Sequence, residues 1–289
     1  MTDSLEILLT NDDGIDSPGI RALYDALSEV GNVTTVAPAD DQSAVGRAMS
    51  YEVSVEEHEL SYAVHGTPSD CVVAGLAELG PYPDVVVSGS NQGANMGAYV
   101  LGRSGTVSAA VEAAFFGVPA IAASLHVPQS EWPRDTTAEE HADVAAAVRY
   151  LVEHAPEAGI FEEADYLNVN GPMPSESGRV KDGGAVEDGG SVEGGDAVED
   201  RESGAADAAE RPPMAVTRPS HVYDMDATRD DGVVTLHDNT WEQMEADTLP
   251  DPEGTDRRAV YEGKISVSPL TAPHTTEHHE SLDELAERF

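Results

Sequence analysis

Close to its N-terminus the chain reads Ile7-Leu8-Leu9-Thr10-Asn11-Asp12-Asp13-Gly14. The short apolar run is typical of a β-strand buried on both faces, and Gly14 allows a sharp or left-handed turn after the two acids. Asp16-Ser17-Pro18 then predicts the N-cap and first position of a helix. Asp12 and Asp13 are therefore not needed for capping.

Two adjacent carboxylates at the end of a buried strand predict a cation site. In open α/β sheets, ligands bind outside the carboxyl ends of the strands. Two carboxylates ~4 Å apart repel by about 4 kcal/mol at an effective dielectric constant near 20, and a divalent cation between them reverses that sign. Ligands that are all oxygen favour Mg²⁺, Mn²⁺ or Ca²⁺ over zinc. The alternative interpretation of Asp12 and Asp13 is a solvated acidic turn.

The composition indicates a globular and very acidic protein. Of its 289 residues 40% are hydrophobic, and 55 acids against 15 bases give a formal net charge of -40. The lysines are Lys181 and Lys264 alone, and the remaining bases are arginines. Such a balance predicts adaptation to high salt, where counter-ions screen self-repulsion. The chain has no basic patch, so we expect neither nucleic acid nor an anionic membrane as a partner.

The sequence also predicts a cytoplasmic location. The first six residues have neither a positive n-region nor an apolar h-region, and no apolar run reaches the length of a transmembrane helix. Cys71 is the single cysteine, which excludes an internal disulfide and fits a reducing compartment.

Strands and helices alternate along the first 170 residues, which predicts an α/β fold. Helical spacing of apolar residues covers 19–30 and 138–154, Thr67 and Asp70 cap a helix through Leu79, and Ser104-Gly105-Thr106 leads into an alanine-rich helix. Strands are predicted at 32–38, 51–56, 84–88, 120–124 and 166–170.

Beyond this region the pattern changes. Acidic, glycine-spaced repeats of period six mark 176–211 as a low-complexity insertion that we expect to be disordered. Strands are predicted at 215–217, 233–236 and 261–270, followed by a last helix, Leu282 to Phe289. His274, His278 and His279 are interpreted as solvated. The predicted organisation is a catalytic α/β domain at 1–175, the insertion at 176–211, and a C-terminal part at 212–289 that completes the fold and the oligomer interface.

Two polar loops follow predicted strands, and a third polar stretch leads into a helix. Residues 39–46 carry Ser43, and the glycine-rich stretch 89–97 carries Asn91 and Asn95, whose amides both donate and accept hydrogen bonds. The start of the helix after Ser104 could bind phosphate. Taken alone, Ser43 is more simply an ordinary loop serine, and Ser104 and Thr106 are more simply caps. Neither a P-loop nor a G-x-G-x-x-G fingerprint is present.

Together these stretches resemble the SurE family of survival-protein nucleotidases. The resemblance rests on several pieces in the family's order, namely 7–14 with Pro18-Gly19-Ile20, Val36-Ala37-Pro38 with Ser43, 66–71, 87–97, and Ser104-Gly105-Thr106-Val107. Fainter matches lie at 167–170 and 265–270, and the insertion at 176–211 has no counterpart.

The resemblance implies a divalent-metal-dependent phosphatase that hydrolyses nucleoside 5′- and 3′-monophosphates. Its fold would be a Rossmann-like, three-layer α/β/α structure with a mostly parallel sheet and a C-terminal hairpin and helix extension exchanged between subunits of a homodimer or homotetramer. By motif, one Mg²⁺ or Mn²⁺ ion per subunit would be held by Asp12, Asp13, Ser43 and Asn91. Phosphate would be held by Asn95 and Ser104-Gly105-Thr106, and catalysis assigned to Asp12, Asp13 and Asn95.

The chain departs from the family at two places. Residues 39–42, Ala-Asp-Asp-Gln, stand where the family usually has basic residues, and Arg103 stands where it usually has tyrosine. Arg103 could clamp the substrate phosphate. Whether an aspartate or a water attacks phosphorus stays open. The alternatives are a phosphatase of other small phosphoesters or short polyphosphate, or a nucleotide-binding module without turnover.

Overall fold

A computed structural model describes residues 4–174, 211–246 and 248–272. In chain order the elements are β1 (Leu5–Thr10), α1 (Pro18–Leu27), β2 (Gly31–Pro38), β3 (Val55–His58), β4 (Ser61–Val64), α2 (Pro68–Ala77), β5 (Val85–Gln92), α3 (Ala98–Leu101), α4 (Gly105–Phe115), β6 (Ala120–Leu125), α5 (Ala142–His154), β7 (Tyr166–Gly171), β8 (Met214–Val216), β9 (Met225–Asp230), β10 (Val233–Asp238), α6 (Asn239–Glu245), α7 (Asp256–Tyr261) and β11 (Ile265–Leu270), with 3₁₀ turns at Gln129–Glu131 and Ile160–Glu162.

One large sheet organises the molecule. Its nine strands run in the order β3-β4-β2-β1-β5-β6-β7-β11-β8, and all neighbours are parallel except β3 with β4 and β7 with β11. The strand β1 lies between β2 and β5, so its end and the acids after it lie at the middle of the sheet edge.

Helices cover both faces of this sheet. Ile7 and Leu9 of β1 pack in the cluster that contains α1 and α5, whereas Leu8 packs in the cluster that contains α2 and α4. Successive side chains of a strand point to opposite faces, which is why one apolar run feeds two cores. The prediction of a three-layer, mostly parallel α/β fold is confirmed.

The caps predicted for α1 and α2 are borne out by the structure to different degrees. The predicted cap of α2 is confirmed as a capping box, in which Thr67 Oγ1 accepts from the Asp70 amide at 3.2 Å and an Asp70 oxygen accepts from the Thr67 amide at 2.9 Å. The helix α1 begins at Pro18 as predicted, but Ser17 makes no side-chain cap bond. Its hydroxyl instead accepts from Asn11 Nδ2 at 2.8 Å.

Several boundaries differ from the prediction. The alternating stretch at 51–56 forms a strand only from Val55, since Tyr51 is fully exposed and β3 pairs only with the unpredicted β4. The predicted strand 261–270 divides into the end of α7 and β11, because Gly263 adopts a left-handed φ of 75° between them. The strand β5 continues to Gln92, four residues further than predicted, so Asn91 lies on a strand.

The C-terminal part contributes to the same sheet and to a separate hairpin. The strand β11 pairs with β7 and β8, whereas among the described residues β9 and β10 pair only with each other and are largely exposed. The insertion predicted at 176–211 (save Arg211), the helix predicted at 282–289, and His274, His278 and His279 lie outside the described residues. Within the described ranges, no helix has the length and apolar character needed to cross a membrane.

Candidate functional site

The two aspartates after β1 accept hydrogen bonds from two other elements, the helix α4 and the strand β5. Asp12 is 3% exposed, and its Oδ1 accepts a hydrogen bond from Thr106 Oγ1 at 2.5 Å. Asp13 Oδ2 accepts from the backbone amide of Gln92 at 2.8 Å. The carboxylates are thereby tied to the start of α4 and the end of β5, the two places where the sequence predicts phosphate and metal ligands.

Both aspartates carry a raised pKa. Burial is the main cause for Asp12, opposed by its hydrogen bonds with Thr106. For Asp13, burial and then the adjacent charge of Asp12 raise the pKa to about 7. Asp41 adds a smaller rise to both. Two crowded carboxylates that destabilise each other's charge form a site whose anionic state a divalent cation would stabilise.

Ser43 lies on the loop beside these aspartates. The Gln42 amide donates to the backbone oxygen of Asp12 at 2.7 Å, which holds the loop against the end of β1. Ser43 is exposed, and its amide and hydroxyl both donate to Asp41 Oδ1, at 2.8 and 2.6 Å. Those bonds use the hydroxyl proton, so the oxygen lone pairs are the part of Ser43 that could bind a cation. Asp41 was not predicted as a site residue, although an acid in this loop was a visible signal.

Asn91 and Gln92 close the other side of the aspartate pair. The side-chain amide of Asn91 donates to the carbonyl of Gly93, so its Oδ1 is the atom that a cation would bind. Asp12, Asp13, Ser43 and Asn91 together offer only oxygen ligands, which fits Mg²⁺ or Mn²⁺. Within the described residues, no group of three or more His, Cys, Asp or Glu side chains is arranged around a metal position. The predicted set contains only two such residues and relies on a hydroxyl and an amide for the rest.

Asn95 is held from three sides. Its backbone amide donates to Asn170 Oδ1 at 2.8 Å, and its carbonyl accepts from Asn168 Nδ2 at 2.8 Å. Its side-chain amide donates to Ser124 Oγ at 3.0 Å and lies 3.5 Å from Thr106 Oγ1. The structure thus brings Asn95 to Thr106 and through it to Asp12. Sequence reasoning missed the supporting role of Ser124, Asn168 and Asn170, for which buried asparagines on a strand were the only signal.

The start of α4 completes the site. Ser104 Oγ accepts from the Val107 amide at 3.0 Å, as a cap does. At Gly105 a Cβ atom would lie 2.8 Å from the Asp12 carboxylate, so only glycine allows the helix to approach that closely. The positive dipole end of α4 therefore faces the aspartate pair, and the backbone N–H of Thr106 is hydrogen-bonded to Asp12.

Arg103 precedes this helix and is exposed. Its Cζ lies 4.1 Å from the centre of the Tyr99 ring, and Nη2 donates to the Tyr99 hydroxyl at 2.5 Å. The structure places the guanidinium beside the candidate phosphate loop, and its role as a phosphate clamp stays a prediction.

A second layer supports the end of β5. His141 is fully buried, with one ring nitrogen 3.0 Å from Ser90 Oγ and the other 3.0 Å from Thr136 Oγ1. Thr136 donates to Gln92 Oε1 at 2.8 Å, which continues the chain of bonds to the residue that bonds Asp13. Burial lowers the pKa of His141 to about 4, so the ring is neutral. This network holds Ser90 and Gln92, the neighbours of Asn91, without adding charge.

The C-terminal part anchors the loop after Asn95. Buried Asp256 accepts three backbone hydrogen bonds, from Gly97 at 2.7 Å, Ser220 at 3.0 Å and Arg257 at 2.8 Å. Arg257 in turn pairs with Asp251 at 2.8 Å. Residues 217–257 therefore position the segment between Asn95 and Ser104 from outside the main sheet.

Comparison with known proteins gives a consistent set of relatives. A family model described as survival protein SurE matches residues 7–186. The chain is 56% identical to a 5′-nucleotidase SurE of Haloarcula marismortui and 55% identical to one of Natronomonas pharaonis, over 99% of this chain and 96% and 100% of those proteins. The crystal structure of the SurE protein from Aquifex aeolicus superposes with a TM-score of 0.68 at 28% identity, covering 98% of this chain and 99% of that one.

Proposed function

This chain belongs to the SurE family of survival proteins, and on that premise we propose that it is a divalent-metal-dependent 5′-nucleotidase. It would hydrolyse nucleoside 5′- and 3′-monophosphates to a nucleoside and phosphate. The observation that carries the proposal is the contact of Asp12 with Thr106 and Gly105, which joins a carboxylate pair to a helix N-terminus. A cation site and an anion site so close together suit a phosphate ester.

We assign one Mg²⁺ or Mn²⁺ ion per subunit to Asp12, Asp13, Ser43 and Asn91. When bound, such an ion neutralises phosphate oxygens and lowers the pKa of a water molecule. The raised pKa of Asp13 and the oxygen-only donor set support the assignment. Zinc would be the less suitable metal, because nitrogen and sulfur ligands are not part of the set.

The residues around the phosphate would act by position and charge. The Asn95 side-chain amide and residues 104–106 at the start of α4 would bind phosphoryl oxygens, with each donor worth about 10²–10³ in rate. Arg103 adds a positive charge at the mouth of the loop. Hydrolysis forms one P–O bond from the attacking oxygen and breaks the P–O bond to the ribose, whose oxygen takes up a proton. Asp12 and Asp13 are the candidates for accepting the proton of the attacking water or for attacking directly.

We further propose a homodimer or homotetramer in the cytoplasm. The hairpin of β9 and β10 supports assembly, since Val233 and Leu236 are 66% and 72% exposed on strands that pair only with each other among the described residues. A two-stranded hairpin of this kind is marginally stable alone and gains most from a partner surface.

Phosphate release from a substrate panel tests the function. The panel contains 5′- and 3′-nucleotides, glycerol phosphate and short polyphosphate, each with chelator and then with added Mg²⁺ or Mn²⁺ in molar salt. We expect metal-dependent release that is fastest from nucleoside monophosphates. Faster release from polyphosphate would favour the alternative phosphatase, and nucleotide binding without any release would identify a binding module.

A further inference from the structure

An aromatic stack adjoins the candidate phosphate loop. The rings of Tyr99 and Tyr223 lie 5.3 Å apart, centre to centre, with only 12° between their planes. The Arg103 guanidinium lies 4.1 Å from the Tyr99 ring centre. Tyr99 belongs to α3, which in the chain lies between Asn95 and Ser104, the two groups proposed to bind phosphate.

The stack joins two distant parts of the chain, and both are fixed by buried hydrogen bonds. The amide of Ala98 donates to the carbonyl of Ser220 at 2.8 Å, which ties α3 to the C-terminal segment. The buried Arg257 side chain donates to Ser220 Oγ at 2.9 Å and also to the carbonyl of Val222, the residue before Tyr223. Tyr223 is nevertheless 63% exposed.

The exposure of the Tyr223 ring costs the protein stability unless a ligand covers the ring. An aromatic side chain held rigidly with most of its surface in water forgoes the burial that normally stabilises it. Any nucleobase can stack on such a ring, because every base has a π-face. An adjacent arginine strengthens the stack. The location of Tyr99, five residues before Ser104, suits the base of a nucleotide whose phosphate lies at 104–106.

We propose that the outer face of Tyr223, which is backed by the Tyr99 ring with Arg103 over that ring, forms the surface on which the base of a nucleoside monophosphate stacks. The proposal rests on the proposed nucleotidase function and adds the feature that recognises the base. Because a purine has a larger face than a pyrimidine, purine nucleotides gain more from this surface.

The test compares two substrates that differ only in the base. Tyr223→Ala is assayed with 5′-AMP and with ribose 5-phosphate, at saturating metal and in molar salt. We expect kcat/KM for 5′-AMP to fall about 10-fold, mainly through KM, in the range that loss of one stacked base produces. The change for ribose 5-phosphate stays below about twofold, because that substrate has no base to stack. Tyr82→Ala is the matched control, since Tyr82 is 61% exposed and bonded to Phe116 away from the site; it should change neither value.

Two further variants separate stacking from support of the fold. Tyr223→Phe keeps the ring and should retain activity on 5′-AMP, whereas Tyr223→Leu keeps an apolar side chain without the flat face and should lose it. An equal effect of Tyr223→Ala on both substrates, or no effect on either, would overturn the proposal while the nucleotidase function stands. If the unaltered protein released phosphate from neither substrate, the proposed function itself would fail.

Discussion

Asp13, at the end of β1, and Asp256, at the start of α7, are both carboxylates withdrawn from water, and their surroundings are opposite. Asp256 accepts hydrogen bonds from three backbone amides and precedes a buried arginine. Asp13 accepts one from Gln92 and has the like charge of Asp12 beside it. Burial raises the pKa of both groups, but hydrogen bonds and Arg257 oppose the rise at Asp256, whereas Asp12 adds to it at Asp13.

The difference indicates what each region does. In the C-terminal region the protein itself satisfies a buried charge, so Asp256 serves as an anchor for the loop at 95–97. At the sheet edge the protein leaves the charge of Asp13 poorly compensated, an arrangement that persists when a ligand supplies the missing positive charge. In the proposed function the N-terminal region provides the reactive groups, and the C-terminal region positions the loop at 95–97.

Lowering the salt concentration should have the largest effect, because it acts on both regions at once. A net charge of -40 is self-repulsive. The Debye length is about 3 Å at ~1 M salt and about 10 Å at ~0.1 M, so dilution lets acids on neighbouring elements repel one another. Against a typical stability of ~5–15 kcal/mol, we expect unfolding and loss of activity on dilution. Melting curves across a salt series decide this, and equal stability at ~0.1 M and ~2 M salt would refute it.

The variant Asp13→Asn should lower kcat by at least ~10³ and leave the fold intact. It removes an anionic ligand with little change in volume, so the loss falls on catalysis. Activity at saturating metal and the melting temperature are measured together, with Asp40→Asn, an exposed acid on the neighbouring loop, as the control. Near-normal turnover in Asp13→Asn would show that Asp13 is not part of the site.

Acid should destabilise the protein through His141, which is buried in the hydrogen-bond network that supports the end of β5. The unfolded ring takes up a proton near its usual pKa of 6.5, but the folded ring does so only near 4. Stability is therefore full above pH 6.5 and declines as the pH falls towards 4, by up to about 3 kcal/mol at about 1.4 kcal/mol per unit. Asp12 and Asp13, whose pKa values are raised, contribute with the opposite sign.

The histidine's part is isolated by the variant His141→Gln. Free energies of unfolding are measured for both proteins between pH 4 and 8 in molar salt, and their difference removes the shared contribution of the aspartates. We expect the difference in the free energy of unfolding between the unaltered protein and His141→Gln to become smaller as the pH falls. Parallel curves would contradict the lowered pKa, because they would show that His141 binds its proton equally well in the folded and the unfolded protein.

The smallest effect is expected from Asp256→Asn. Replacing one carboxylate oxygen by an amide sets a donor against a backbone N–H, a loss of about 1–3 kcal/mol in stability. Activity should fall far less than in Asp13→Asn, because Asp256 acts on the site only through the position of Gly97. Thermal melts and kcat for the two variants are compared directly. A kcat loss equal to that of Asp13→Asn would show that Asp256 is more than an anchor for the loop.

The sequence predicts most reliably the features that depend on near neighbours. The strand before Asp12, the capping box of Thr67 and Asp70, and the alternation of strands and helices over the first 170 residues all follow from local spacing. The family resemblance then predicts which polar loops belong together, and the structure brings the segments of Asp12, Gln92, Asn95 and Thr106 to one edge.

Other features depend on contacts between residues distant along the chain. The bonds of Asn95 with Ser124 and Asn170, and of Gly97 with Asp256, become visible only once the sheet is assembled. The short helices α3, α6 and α7 have 4 to 7 residues, too few for a helical period to show in the sequence. Asp41 was overlooked because a loop acid is usually solvated.

Anomalous diffraction from crystals of the protein grown with Mn²⁺ tests the central claim most directly. The account predicts one Mn²⁺ peak per subunit, with carboxylate oxygens of Asp12 and Asp13 at distances of about 2.0–2.6 Å as for other hard cations. The same crystals of Asp13→Asn should show that peak much weakened. A saturated crystal of the unaltered protein with no peak beside Asp12 and Asp13, or with its only peak elsewhere, would contradict the account.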